Sequence, residues 1–134
     1  MFSIVIPTWN NLSYIQLCVE SIRKNSAHPH QVILHINDGS DGTLAWAKAE
    51  QIDYTHTDDN AGICVAVNQA AALATQNYIV YMNDDMYVLP NWDSELIKEI
   101  KACVIAWSGT RIPTVSFFVF SILGTCLLAS KMKV

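Results

Sequence analysis

Two adjacent carboxylates, Asp84 and Asp85, stand just beyond the apolar run Tyr78–Met82, with Asn83 between the run and the pair. Neighbouring acids at the end of a buried strand repel each other, and a cation, a hydrogen-bond donor or water must offset that repulsion. Three more polar clusters follow strand-like runs in the same way. Thr8-Trp9-Asn10 comes after Phe2–Ile6, Asn37-Asp38-Gly39-Ser40-Asp41-Gly42 after Val32–Ile36, and Thr57-Asp58-Asp59-Asn60-Ala61-Gly62 after Ile52–His56. Carboxylates and amides are the hard oxygen donors that magnesium and manganese prefer, and such ions keep open positions for phosphate oxygens. The chemistry indicated is the holding of a nucleotide diphosphate through a divalent metal. Each cluster alone also reads as ordinary turn and helix-cap chemistry, because Asn, Asp and Gly tolerate left-handed backbone. There is neither a P-loop sequence nor a glycine-rich dinucleotide fingerprint, which disfavours P-loop ATP hydrolysis and NAD binding.

The elements that would position these clusters alternate. Phe2–Ile6, closed by Pro7, reads as a buried strand. Leu12, Ile15, Cys18, Val19 and Ile22 keep helical spacing, with Gln16, Glu20, Arg23 and Lys24 on the other side, so Leu12 to Lys24 is an amphipathic helix. Val32–Ile36 is a second strand, Thr43–Ala49 a short helix, Ile52–His56 a third and weaker strand, Ile63–Ala74 an alanine-rich helix and Tyr78–Met82 a fourth strand. Trp92 to Lys101 is a last amphipathic helix. This succession predicts an α/β fold: an open, mostly parallel, Rossmann-like sheet with helices on both faces. In such a sheet ligands bind beyond the carboxyl ends of the strands. All four polar clusters fall there, whereas 25–30 and 75–77 at the opposite edge contain no acid.

Composition sets bounds. The chain has 134 residues, a net charge of −4, 15% charged and 51% hydrophobic residues, which fits a folded domain and not a disordered chain. Without a basic stripe, nucleic acid is not expected as a partner. Cys18, Cys64, Cys103 and Cys126 form no CxxC pair, and Met1 leads straight into an apolar run with no signal-peptide pattern, so reduced thiols and a cytoplasmic location are expected. His28, His30, His35 and His56 are scattered over strands and connections and are read as structural.

Five of these pieces, in this order, resemble glycosyltransferase family 2, the inverting nucleotide-sugar transferases of the GT-A fold. They are Ser3-Ile4-Val5-Ile6-Pro7-Thr8-Trp9-Asn10, Asn37-Asp38-Gly39-Ser40-Asp41-Gly42, Asp59-Asn60-Ala61-Gly62 with Ala66 and Asn68, Asn83-Asp84-Asp85-Met86, and Leu89-Pro90-Asn91-Trp92. The likeness runs from about Phe2 to Lys101. It implies that Pro7, Thr8 and Asn10 line the base and ribose pocket, and that Asp38 accepts a hydrogen bond from a uracil-type base. Asn60 and Gly62 would let the backbone approach the nucleotide. Asp84 would contact the ribose or donor sugar, and Asp85 would ligate a Mn2+ or Mg2+ ion bridging the two phosphates of a UDP-type donor. Asn83 occupies the place where the motif often has its first aspartate, and Val67, not arginine, precedes Asn68.

The remainder departs from that pattern. Inverting transfer needs a general base for the acceptor hydroxyl, and the sequence has no Asp or Glu after Glu99. The expected organisation is a nucleotide-sugar-binding domain over 1–102 that lacks the acceptor half, followed by a hydrophobic tail, 103–134. Within the tail, Thr114 to Ser130 is uncharged and near the shortest length of a membrane-spanning helix. A membrane contact, buried strands completing the sheet, and a frameshifted, non-native tail all stay open. Two functional alternatives also stand. One is a catalytically incomplete or non-catalytic nucleotide-binding module. The other is a phosphoacceptor signalling domain, against which Thr8-Trp9-Asn10 after the first strand argues.

Overall fold

In a computed structural model, the protein is described over residues 1–106, 116–120 and 126–130, with side chains through residue 100. Strands β1 (Phe2–Trp9), β2 (Gln31–Asn37), β3 (Asp53–Thr57) and β4 (Tyr78–Tyr81) alternate with helices α1 (Leu12–Asn25), α2 (Thr43–Ala49), α3 (Ile63–Ala71) and α4 (Trp92–Ala106). β5 (Ser116–Phe120) and β6 (Cys126–Ser130) follow. All six strands form one sheet in the order β3-β2-β1-β4-β5-β6. It is parallel except for the antiparallel β5–β6 pair. This is the α/β architecture anticipated from the alternating pattern.

Side-chain alternation along each strand sorts the core into two layers. Phe2, Ile4, Ile6, Leu34, Ile36, Val80 and Met82 pack with Ile15, Cys18, Val19 and Ile22 of α1, Ala47 of α2, and Leu96 and Ile100 of α4. Val5, Ile33 and Ile79 point the other way, onto Ala70 and Ala71 of α3. For α1, α2 and α3 the split follows from handedness. Two successive crossovers in one direction, β1 to β2 to β3, put α1 and α2 on one face. The return from β3 past β1 to β4 reverses direction and so, kept right-handed, places α3 on the other. Each fully buried Ile or Phe in these layers stabilises the fold by roughly 1.5–3 kcal/mol.

Three ends differ from the sequence expectation by three residues or more. β1 does not close at Pro7 but runs to Trp9, pairing Pro7 with His35 of β2. Val5 accepts a backbone bond from Met82 on the β4 side, so the N–H that Pro7 lacks would also have pointed to that side, which β4 leaves beyond Tyr81. α3 ends at Ala71, because Leu73 and Ala74 turn tightly onto the carbonyls of Ala70 and Ala71 instead of continuing the helix. α4 continues to Ala106. Of the uncharged stretch Thr114 to Ser130, β5 and β6 join the sheet, while 114–115 and 121–125 lie outside the described residues. Among the described residues no helix is long and apolar enough to cross a membrane.

Candidate functional site

The strand order reverses between β1 and β4, and at such a switch point two neighbouring connections leave the sheet in opposite directions and open a crevice. A cleft of about 460 Å³ lies there. β1 contributes Pro7, Thr8 and Trp9, the segment before α3 contributes Asn60 and Gly62, the end of β4 contributes Tyr81, and the loop after it contributes Asn83, Asp84 and Asp85. Seven of the nine residues expected from the sequence to form the site therefore share one cleft.

Hydrogen bonds brace it across the switch point. The hydroxyl of buried Thr8 donates to Asp84 Oδ2 at 2.7 Å, joining the end of β1 to the loop after β4. That loop is held from below by α1. The Cys18 thiol donates to the Asn83 carbonyl at 3.7 Å, Ser21 Oγ accepts from the Val88 amide at 3.1 Å, and Asn25 Nδ2 donates to the Val88 carbonyl at 2.7 Å. Burial, followed by the charge of Asp84, pushes the Cys18 thiol up to about 12, so it keeps the proton it donates. Asp84 is half-buried and Asp85 exposed, which leaves the second carboxylate open to solvent.

The third wall depends on Asn37. Its buried amide donates to the Thr8 carbonyl at 3.3 Å and accepts from the Ala61 amide at 2.8 Å, tying β1 to the loop before α3. Asn60 Oδ1 accepts from the Gly62 amide at 2.9 Å and shapes the same turn. Gly62 has φ 77° and ψ 157°, a region essentially closed to other residues. A Cβ built there would meet nothing within 4 Å, so the glycine answers a backbone requirement and leaves open space above the cleft floor.

Asn10 and Asp38 do not line this cleft. They stand one residue beyond Trp9 and Asn37, both with left-handed backbone (φ 46° and 61°), and bond to each other, Asn10 Nδ2 to Asp38 Oδ2, at 2.7 Å. That bond, with others from Ser40, holds the Asp38 carboxyl below its ordinary range. Asp41 is occupied structurally, accepting from the amides of Leu12 and Thr43 and so fixing the starts of α1 and α2. The sequence marks Asn37 only as the head of a polar cluster, with no role of its own, and does not mark Tyr81 as part of the site. Tyr81 resembles an ordinary half-buried strand aromatic, and its only signal is its spacing of two from Asn83, which puts both on one face.

The histidines have structural partners. His30 and His28 bond to buried Asp93, His35 to Thr55 and His56 to the Asp38 carbonyl. Of the cysteines with described side chains, Cys18 is buried and Cys64 exposed, and both are free thiols. A second hollow of about 400 Å³ lies at the opposite edge of the sheet, by His28, His30, Gln31 and Asp53, where the polar groups already satisfy one another.

An open sheet that reverses its order over a cleft of amides and carboxylates defines a doubly wound α/β domain. The chain belongs to glycosyl transferase family 2, whose family model matches residues 3–119. It is 29% identical over 120 residues to the PGL/p-HBAD biosynthesis glycosyltransferase of Mycobacterium tuberculosis, covering 85% of this chain and 44% of that protein. It is 32% identical over 93 residues to the uncharacterized glycosyltransferase YibD of Escherichia coli, covering 66% of this chain and 27% of that one. Among solved structures, Staphylococcus aureus TarS 1–349 in complex with UDP-GlcNAc superposes with a TM-score of 0.63 at 20% identity, over 84% of this chain and 36% of that chain. The chain thus spans less than half the length of these relatives.

Proposed function

We propose that the cleft binds a nucleotide-diphosphate sugar, most simply of UDP type, as the donor half of a glycosyl transfer. The observation that carries this reading is the Thr8–Asp84 bond across the switch point, which sets Asp85 beside it as an exposed carboxylate in a cleft that also holds the amides of Asn37, Asn60 and Asn83. Pro7, Thr8 and Asn60 would contact the base and ribose, with Asn10 and Asp38 reached by the base beyond Trp9. Gly62 would admit the nucleotide close to the backbone, and Asn83 and Asp84 would face the ribose, diphosphate or sugar. TarS has been captured with UDP and with UDP-GlcNAc, which supports this ligand class by likeness.

The donor set suits a divalent metal of the Mn2+ or Mg2+ type. Among the described residues no three His, Cys, Asp or Glu side chains converge, so an ion at Asp85 would take most of its ligands from phosphate oxygens and water, as magnesium commonly does. When bound, it would supply Lewis-acid neutralisation of the departing nucleoside diphosphate. The chain's own residues orient the donor: Thr8 fixes Asp84, α1 fixes the loop, and Asn37 fixes the opposite wall.

A second reading is nucleotide binding without transfer by these residues alone. It is favoured by one fact: the only carboxylates lining the cleft, among the described residues, are Asp84 and Asp85, both committed to the donor side. Donor hydrolysis or transfer assays separate the two readings. Calorimetry tests their common part. Asp85→Ala is expected to weaken manganese-dependent UDP binding about a hundredfold, equivalent to ~3 kcal/mol. Absence of UDP binding by the folded wild-type chain with manganese would remove both readings.

A further inference from the structure

Asn83 is set up differently from the two carboxylates that follow it. Tyr81 and Asn83 lie two residues apart at the end of β4, so their side chains leave on the same side of the sheet, the side that α3 covers, and both line the cleft. The Tyr81 hydroxyl donates to Asn83 Oδ1. With the amide oxygen so engaged, the other branch of the planar group, a nitrogen with two N–H donors, is turned away from the tyrosine. The phenol suits a fixed donor role: burial, and then the charges of Asp84 and Asp85, raise it above the usual tyrosine range and keep its proton in place.

The rest of the lining shows why a donor matters at this point. Among the described residues, those that line the cleft include no Lys, Arg or His and already include two carboxylates. A diphosphate entering it would meet no side-chain cation among the described residues, and a third carboxylate would add to the repulsion. Asn37, another amide of the cleft, uses its nitrogen on the Thr8 carbonyl. We infer that Asn83 serves as a hydrogen-bond donor to the diphosphate of the bound nucleotide and not as a metal ligand, and that Tyr81 is the positioning residue that turns its amide nitrogen to that task. This rests on the nucleotide-diphosphate reading above.

The test is a set of titrations of the full chain with UDP and with uridine in the presence of magnesium, followed by amide NMR shifts, with circular dichroism confirming that each variant is folded. Asn83→Asp keeps an acceptor for Tyr81 but removes both N–H donors, and it is expected to weaken UDP binding about tenfold, the scale of a hydrogen bond to a charged group, while leaving uridine little changed. Tyr81→Phe is expected to weaken UDP binding about threefold in the wild-type background and to add nothing in an Asn83→Ala background, since its effect passes through the amide.

Three results would overturn the inference while leaving the nucleotide reading intact. They are undiminished UDP binding by Asn83→Asp, an equal loss for uridine, and a full Tyr81→Phe effect in the Asn83→Ala background. Failure of the wild-type chain to bind UDP would overturn both.

Discussion

Asp93 shows how far a single residue's surroundings set its chemistry. Its side chain is fully buried at the start of α4, where it accepts from the amides of Ala27 and His28 (both 2.9 Å), from His28 Nδ1 (2.9 Å) and from His30 Nε2 (3.1 Å). His30 Nδ1 accepts from the Phe2 amide, which places the imidazole proton on Nε2, facing the carboxylate. Burial alone would raise the Asp93 pKa, but these bonds outweigh it and hold it near 2. A carboxyl depressed in the folded state contributes stability above its unfolded pKa and loses it as pH falls through the folded value. Wild type should therefore exceed Asp93→Asn in stability by on the order of 2 kcal/mol above about pH 4, with the difference shrinking toward pH 2. His30 and His35, whose pKa values burial lowers, act at milder acidity. The unfolded chain takes up their protons first, so stability begins to fall below about pH 6.5. Urea titrations of both proteins from pH 7 to 2 measure the two stages. A difference between them that stays constant across that range would contradict the assignment to Asp93.

At the scale of elements, the sequence carried the strand–helix order because each element owns a clear period: β-branched runs for β1 and β2, a 3.6-residue stripe for α1. Its ends were less legible, since they depend on partners. Pro7 looked like a stop, yet β1 continues because the missing N–H faces the side that β4 has left. The alanines after Ala71 looked helical, yet the chain must turn there for the Thr75 amide to reach Gln31. The site was legible to the same degree. Amide and carboxylate clusters announced the strand ends, but nothing local distinguishes Asp84, facing the cleft, from Asp38, which is paired with Asn10 outside it. Gly62 tests the element scale. Because a Cβ there has free space, Gly62→Ala should lose stability only through backbone strain, by about 1–3 kcal/mol, read from denaturant midpoints. Gly39 is different, for there a Cβ would lie 2.8 Å from Ile36 Cγ2 and 3.0 Å from Leu44 Cβ, so crowding adds to the strain. An unchanged midpoint for Gly62→Ala would mean that another conformation is open to that turn, and with it a different shape for the cleft wall.

Over the whole molecule, the two edges of the sheet do different work. At the amino edge, Asp93, His28, His30, Gln31 and Asp53 satisfy one another and fasten α4 and the connections to the sheet. At the carboxyl edge the reversal between β1 and β4 opens a cleft whose donors and acceptors are only partly used within the protein. The proposed metal ligand, Asp85, lies in that cleft. Paramagnetic broadening of assigned amide signals by substoichiometric manganese, with and without UDP, locates the metal directly. The account predicts that UDP and manganese together broaden the signals of Asn83 to Met86 and of Gly62, while those of Ala27, His28 and Asp93 stay sharp. Broadening centred on the amino edge, or none at Asp85 with UDP bound, would contradict it.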